Sequence, residues 1–169
     1  MRKIVSTVIA VLGYLHTGGA APAATVVTQP PCVDAPNPWC LSFGPSGAIP
    51  VVRSIRLNAG AGGKAIVTFH GSVACLNSPI GAKGEVELVS QIVPNAAANP
   101  DPAQPGGLLH TGTLPPDGRV TFNLGSTRVF DVPGAGAFTY RFKIRRVGLS
   151  PESAICRVYN AVFTIEFRP

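Results

Sequence analysis

Beyond position 23 the chain holds few residues whose types and spacing invite chemistry: two histidines, two neighbouring carboxylates, four cysteines and one row of cations. His70 stands two residues before Ser72, and Asp131 lies further along. A Ser–His–Asp triad needs such a nucleophile, base and orienting acid brought together in space. No G-x-S-x-G elbow accompanies them, so only the residue types carry the idea. His70 reads more simply as a strand residue and His110 as a loop-edge residue. Glu85 and Glu87 project to the same face if they share a strand, the kind of carboxylate pair that glycosidases use. A solvated polar face has the same appearance and is commoner. Aromatic residues are only 7% of the chain, and most fall at apolar strand positions, which leaves few rings to hold sugars. No Gly-rich phosphate loop follows a strand and opens a helix, so nucleotide binding finds no support.

Cys32, Cys40, Cys75 and Cys156 form an even set with three possible pairings. We expect Cys32–Cys40, which closes a proline-bent loop around Trp39, and Cys75–Cys156, which joins two strand-like segments far apart in sequence. A zinc site built from these cysteines with His70 and His110 is the rival reading. Its spacings match neither C-x2-C nor H-x3-H. We expect no metal and no cofactor.

The feature with an electrostatic argument is the stripe Arg141, Lys143, Arg145, with Arg146 beside it. Alternate residues of a strand stand about 6.6 Å apart in a row, a spacing suited to the anionic groups of an acidic polysaccharide or a lipid headgroup layer. Outward-facing cations also keep a strand soluble and discourage edge pairing, which is the blander account.

These residues need elements to position them, and the pattern after Pro50 supplies strands. Residues 51–57 alternate loosely and end in the glycine-rich turn 58–63. In 64–75, Ala65, Val67, Phe69 and Val73 share one face, with Gly71 as an expected bulge. In 85–93, Val86, Leu88, Ser90 and Ile92 oppose Glu85, Glu87, Val89, Gln91 and Val93. Residues 108–114 form a short strand. Asp117-Gly118 is expected to make a hairpin turn into 119–124, with a separate strand at 127–132. In 138–147, Phe138, Tyr140, Phe142 and Ile144 face away from Thr139, Arg141, Lys143 and Arg145. In 156–167, Phe163, Ile165 and Phe167 share a face. A period of two with one apolar and one polar face marks half-buried antiparallel sheet. No stretch shows helical amphipathicity free of Gly or Pro. The fold class expected is therefore all-β, a two-sheet antiparallel β-sandwich with immunoglobulin-like or jelly-roll connections. Residues 94–107, rich in Pro, Ala, Asn and Gly, read as a mobile insertion.

The N-terminus supplies the setting. Arg2 and Lys3, the apolar run Ile4–Leu15 and the small-residue tail 18–24 describe a cleaved signal peptide over 1–23. Twelve apolar-run residues are too few to span a bilayer, which takes about 20 in a helix. The expected organisation is a signal peptide at 1–23, a proline-rich arm closed by Cys32–Cys40 at 24–50, and the sandwich at 51–169. Without the signal, twelve basic residues face eight acidic ones, a net charge of +4. That is mildly basic and too diffuse for nucleic acid. Charged residues are 13% of the chain, against about 25% in ordinary soluble proteins, and 19 Gly with 17 Pro fit short strands joined by tight turns.

The expectation is a small secreted protein, extracellular or periplasmic, acting as a non-enzymatic binding or adhesion-type module. Its partner would be an acidic polysaccharide or another surface protein, with no nucleic acid and no membrane span. Two alternatives stand beside it. One is a secreted hydrolase with a cryptic site. The other is a structural subunit that assembles by strand addition, for which Thr25–Pro31 is the candidate donor despite its prolines.

Overall fold

The computed structural model describes residues 24–29, 39–44, 49–77, 84–94, 96–116, 118–147 and 154–169. The expected signal peptide at 1–23 and Cys32 lie outside the described residues. Nine strands form among the described residues: β1 (Thr25–Gln29), β2 (Leu41–Phe43), β3 (Val51–Ala59), β4 (Gly63–Leu76), β5 (Gly84–Val93), β6 (Leu108–Leu114), β7 (Arg119–Val132), β8 (Gly136–Val147) and β9 (Ile155–Arg168). Alternating apolar residues drive them, because each strand must bury one face and a sheet satisfies its backbone by pairing. The pattern 127–132 continues 119–124 without a break: β7 pairs with β4 over fourteen consecutive positions.

The strands make two antiparallel sheets packed face to face, a β-sandwich. One sheet runs β1-β9-β4-β7, with β2 also on β9; the other runs β3-β8-β5-β6. Folding the chain in half at the β5–β6 connection brings each strand against its mate. β5 meets β6, β4 meets β7, β3 meets β8, and β1 and β2 meet β9. Successive mated pairs then alternate between the two sheets. That order is a jelly roll, which settles the choice of connections in its favour.

One corner departs from expectation. Gly118 N donates to Pro115 O at 3.2 Å, so a turn is present. It does not close a hairpin, however, because β6 and β7 belong to different sheets. Local turn chemistry bends the chain but does not decide whether the next strand returns beside the last or crosses over.

The core lies between the sheets. Phe69 of β4 stacks on Phe142 of β8 with ring centroids 3.5 Å apart, and Phe163 of β9 meets Phe69 edge-on at 5.7 Å. Ala65, Val67 and Val73, Leu88 and Ile92, Ile144 and Ile165 fill the space around them, all with no exposed surface. Phe163, Ile165 and Phe167 share the buried face, as their spacing predicts. The expected bulge sits at Gly71, but β9 supplies the extra residue. His70 faces Val162 and Ser72 faces Tyr159, so Asn160 and Ala161 together oppose Gly71. Asn160 takes φ 52°, the left-handed conformation that Asn tolerates better than branched residues. A Cβ on Gly71 would come within 3.3 Å of the Ala161 Cα, so the bulge fits because glycine stands there.

Cys75 and Cys156 are cross-strand partners in β4 and β9 and form a disulfide. Cys40 is also disulfide-bonded. The described parts of the proline-rich arm run along β9: β1 pairs with residues 163–167 and β2 with 156–158. Three side chains then tie the sheets together at their margins. Gln29 Nε2 donates to Ser54 O at 2.6 Å while Arg53 Nε donates to Gln29 Oε1 at 3.1 Å. On the other side Arg128 Nη1 donates to Ile92 O at 2.7 Å.

Candidate functional site

Where β7 and β8 end beside one another, the two sheets part and leave a cleft of about 200 Å³. Pro94, Phe130, Asp131, Ala137, Phe138, Thr139 and Tyr140 line it. Phe130 comes from the inward face of β7 and Phe138 and Tyr140 from the inward face of β8. These are core-forming positions, but near the strand ends no opposing side chain covers them fully. Phe130 and Phe138 are half-buried, while Tyr140 is buried. The Phe130 and Tyr140 rings lie 4.9 Å apart, and the Arg128 guanidinium sits over the Phe130 ring, 4.8 Å from its centroid. Burial pushes the Tyr140 hydroxyl above its usual pKa, so it stays protonated and able to donate. Burial also lowers Arg128 from its usual value. Asp131, at the rim, is ion-paired with Lys64. The cleft therefore presents apolar ring surface, with Asp131 and Thr139, whose side chains belong to the outer faces of β7 and β8, at its rim.

The basic stripe does not form an exposed row. Arg141, Lys143 and Arg145 share the outer face of β8, as the alternation predicts, but Lys143 is only 4% exposed. Its Nζ donates to Ala96 O and to Ala98 O, the latter at 2.7 Å. Arg141 and Arg145 are half-buried beside it, and the buried Arg145 Nε has no hydrogen-bond partner among the described residues. Arg146 turns toward the sandwich end, where Nη1 donates to Ala154 O at 2.8 Å.

The cover is the segment read from composition as a mobile insertion. Its described residues are anchored to the outer face of the β3-β8-β5-β6 sheet. Gln91 of β5 holds it at two points: Nε2 donates to Pro105 O at 3.0 Å, and Oε1 accepts from Asp101 N at 3.2 Å. Asp101 Oδ1 accepts from Ala103 N at 2.9 Å, an Asx-type turn that shapes the loop from within. Gly107 packs so closely on the Asp101 carbonyl that a Cβ would collide with it. As a result Val89, Gln91 and Val93, expected on a polar face, are buried together with their opposites.

The triad residues do not assemble. His70 is exposed on the outer face of β4, opposite Gly125. Asp131 lies opposite Lys64, six residues further along the same pair of strands. That separates it from His70 by about 20 Å. His110 lies on β6 in the other sheet, where Ser90 Oγ and His110 Nε2 are 2.9 Å apart. Glu85 and Glu87 do share one face, as expected, and line an open recess with Thr111, Gly112 and Thr113. His110, of opposite parity to Thr111 and Thr113, turns away from that recess. Among the described residues no group of three or more His, Cys, Asp or Glu is placed to hold a metal ion. No described helix is long and apolar enough to cross a membrane.

Sequence reasoning assigned Phe138 and Tyr140 to a core face and passed over the cleft. The available signal was aromatic residues continuing to the very end of a strand pattern, next to Pro133-Gly134. Trp39 was likewise read only as part of a loop. Its ring carries the Arg157 guanidinium at 4.1 Å, a cation–π contact on the outer face of β9.

No family model matches the chain. No curated protein matches it either. Among solved structures it is similar to one described as the structure of infectious bursal disease virus Gx strain, with TM-score 0.32 and 10% identity. That similarity covers 97% of this chain and 42% of the other.

Proposed function

We propose that the chain is an exported, non-catalytic binding module that takes a neutral sugar ring of a surface or matrix glycan in the cleft between β7 and β8. The observation that carries this reading is the cleft's lining: Phe130, Phe138 and Tyr140 beside Asp131 and Thr139. Ligand sites pair apolar walls with a few placed polar groups, and this cleft has both. At about 200 Å³ it suits a single ring rather than a drug-sized ligand. The half-exposed Phe138 ring offers an apolar face to the C–H side of a sugar. The Asp131 carboxylate, steadied by Lys64, accepts from hydroxyls on its edge. The Cys75–Cys156 disulfide fits an oxidising compartment and supports export.

Acidic polysaccharide fits less well, because that reading needs the Lys143 ammonium, which the 96 and 98 carbonyls occupy. The test is retention on immobilised neutral and acidic glycans, read against salt. We expect retention on a neutral glycan that changes little with salt and falls at least about tenfold in Phe138→Ala. Retention confined to acidic glycans and abolished by Arg141→Ala with Arg145→Ala would overturn the reading, as would no retention on any glycan.

A further inference from the structure

We propose that β7 is a docking edge for a second copy of this chain, pairing antiparallel with itself about a twofold axis through Gly125. The four sheet margins are not alike. On the β9 side of its sheet, the margin is split between β1 and β2. The β3 margin follows Pro50 and slips register between Val51 and Arg53. The β6 margin is seven residues long and is followed at once by Pro115 and Pro116. Interruption, bulges, prolines and short length are the usual means by which edges are kept from pairing.

β7 has none of these four, though it carries one inward-pointing charge, Arg128, against which Gly106 packs. It runs fourteen residues, about 45 Å, with no proline, no lysine and no register shift against β4. Nothing among the described residues pairs with its outer edge. A strand of this kind presents a continuous ladder of backbone donors and acceptors.

The occupant is argued from the residues on the exposed face, which are Arg119, Thr121, Asn123, Gly125, Thr127, Val129 and Asp131. With Gly125 facing its own copy, Arg119 of one chain faces Asp131 of the other, and this occurs twice. Thr121 then faces Val129, and Asn123 faces Thr127. Oppositely charged and β-branched pairs are the cross-strand combinations that stabilise antiparallel sheets. A slip of two residues in either direction moves Asp131 out of reach of Arg119, so the charges specify one register. Val129, 60% exposed, gains cover in the pair. Each Asp131 would then lie between Lys64 of its own chain and Arg119 of the other. The result is one sheet running through both copies, and an isologous interface of this kind closes on itself rather than growing into a fibre.

Sedimentation velocity on the purified, oxidised protein tests this. A concentration-dependent dimer is expected. Arg119→Glu sets two like-charged pairs across the axis and should weaken the dimer about tenfold. Asp131→Lys should do the same, and the double variant Arg119→Glu with Asp131→Lys should recover the dimer, because the charges are exchanged and not lost. Val129→Lys, at an exposed position, should leave the circular dichroism unchanged and abolish association. A protein that stays monomeric up to about 1 mM overturns the proposal. So does a dimer indifferent to Arg119→Glu and Val129→Lys, or one that the charge exchange does not restore. Glycan retention by a monomeric Val129→Lys variant separates this outcome from the cleft's own fate.

Discussion

At the scale of single residues, the polar side chains of this protein are spent mainly on structure. His110 is an example. Its ring is partly buried against Phe122, with centroids 6.0 Å apart, and its Nε2 meets Ser90 Oγ. Burial lowers its pKa below the usual imidazole value, so the folded chain holds the proton less readily than the unfolded chain. Stability is therefore full above about pH 6.5 and falls as pH drops from there through the lower folded value. Urea midpoints measured from pH 8 to pH 5 should show this decline, and His110→Gln should flatten it over that window. The sequence reading puts His110 at a loop edge, whereas it lies inside β6. Nor does the sequence show Ser90, because that partner comes from the neighbouring strand at a register set only by folding.

At the scale of elements, the alternation along β4, β8 and β9 was legible because each of these strands buries one face in a single apolar core. Phe69, Phe142 and Phe163 could be placed from their spacing alone. β5 was only half legible. Val86, Leu88, Ser90 and Ile92 face the core as read, but Val89, Gln91 and Val93 are buried beneath residues 96–107. Composition suggested a free loop, since it contains few groups that drive burial. The anchors lie outside it, in Gln91 and Lys143, and the loop contributes mainly backbone carbonyls, which composition does not count. Lys143→Met keeps the stem packed and removes the ammonium that holds Ala96 and Ala98. It should cost about 1–3 kcal/mol in urea unfolding. Amide exchange should quicken across residues 96–107 before it quickens in β8. Equal protection in the variant would refute the anchoring role.

At the scale of the whole molecule, strand pairing joins residues far apart in sequence, and the disulfide locks the most central of these pairings. Cys75 and Cys156 are separated by 81 positions and close β4 onto β9 in the middle of their sheet. Restricting the unfolded chain over so long a loop contributes about 4.5 kcal/mol in the chain-entropy model. Cys75→Ala with Cys156→Ala should lower stability by that amount at equilibrium while preserving the β-sheet circular dichroism. The intact core of Phe69, Phe142 and Phe163 supports the fold without the link. Sequence by itself determined the all-β class, most strand positions and which face of most strands is apolar. All of these follow from period-two patterning and residue type, which are local properties. Tertiary structure decided the jelly-roll order, the crossing at Gly118, the covering of Lys143, the cleft at Phe138 and the open margin at β7. Each of these depends on which strands become neighbours. A local pattern is silent on that choice, because the same apolar face fills a core equally well beside several different partners.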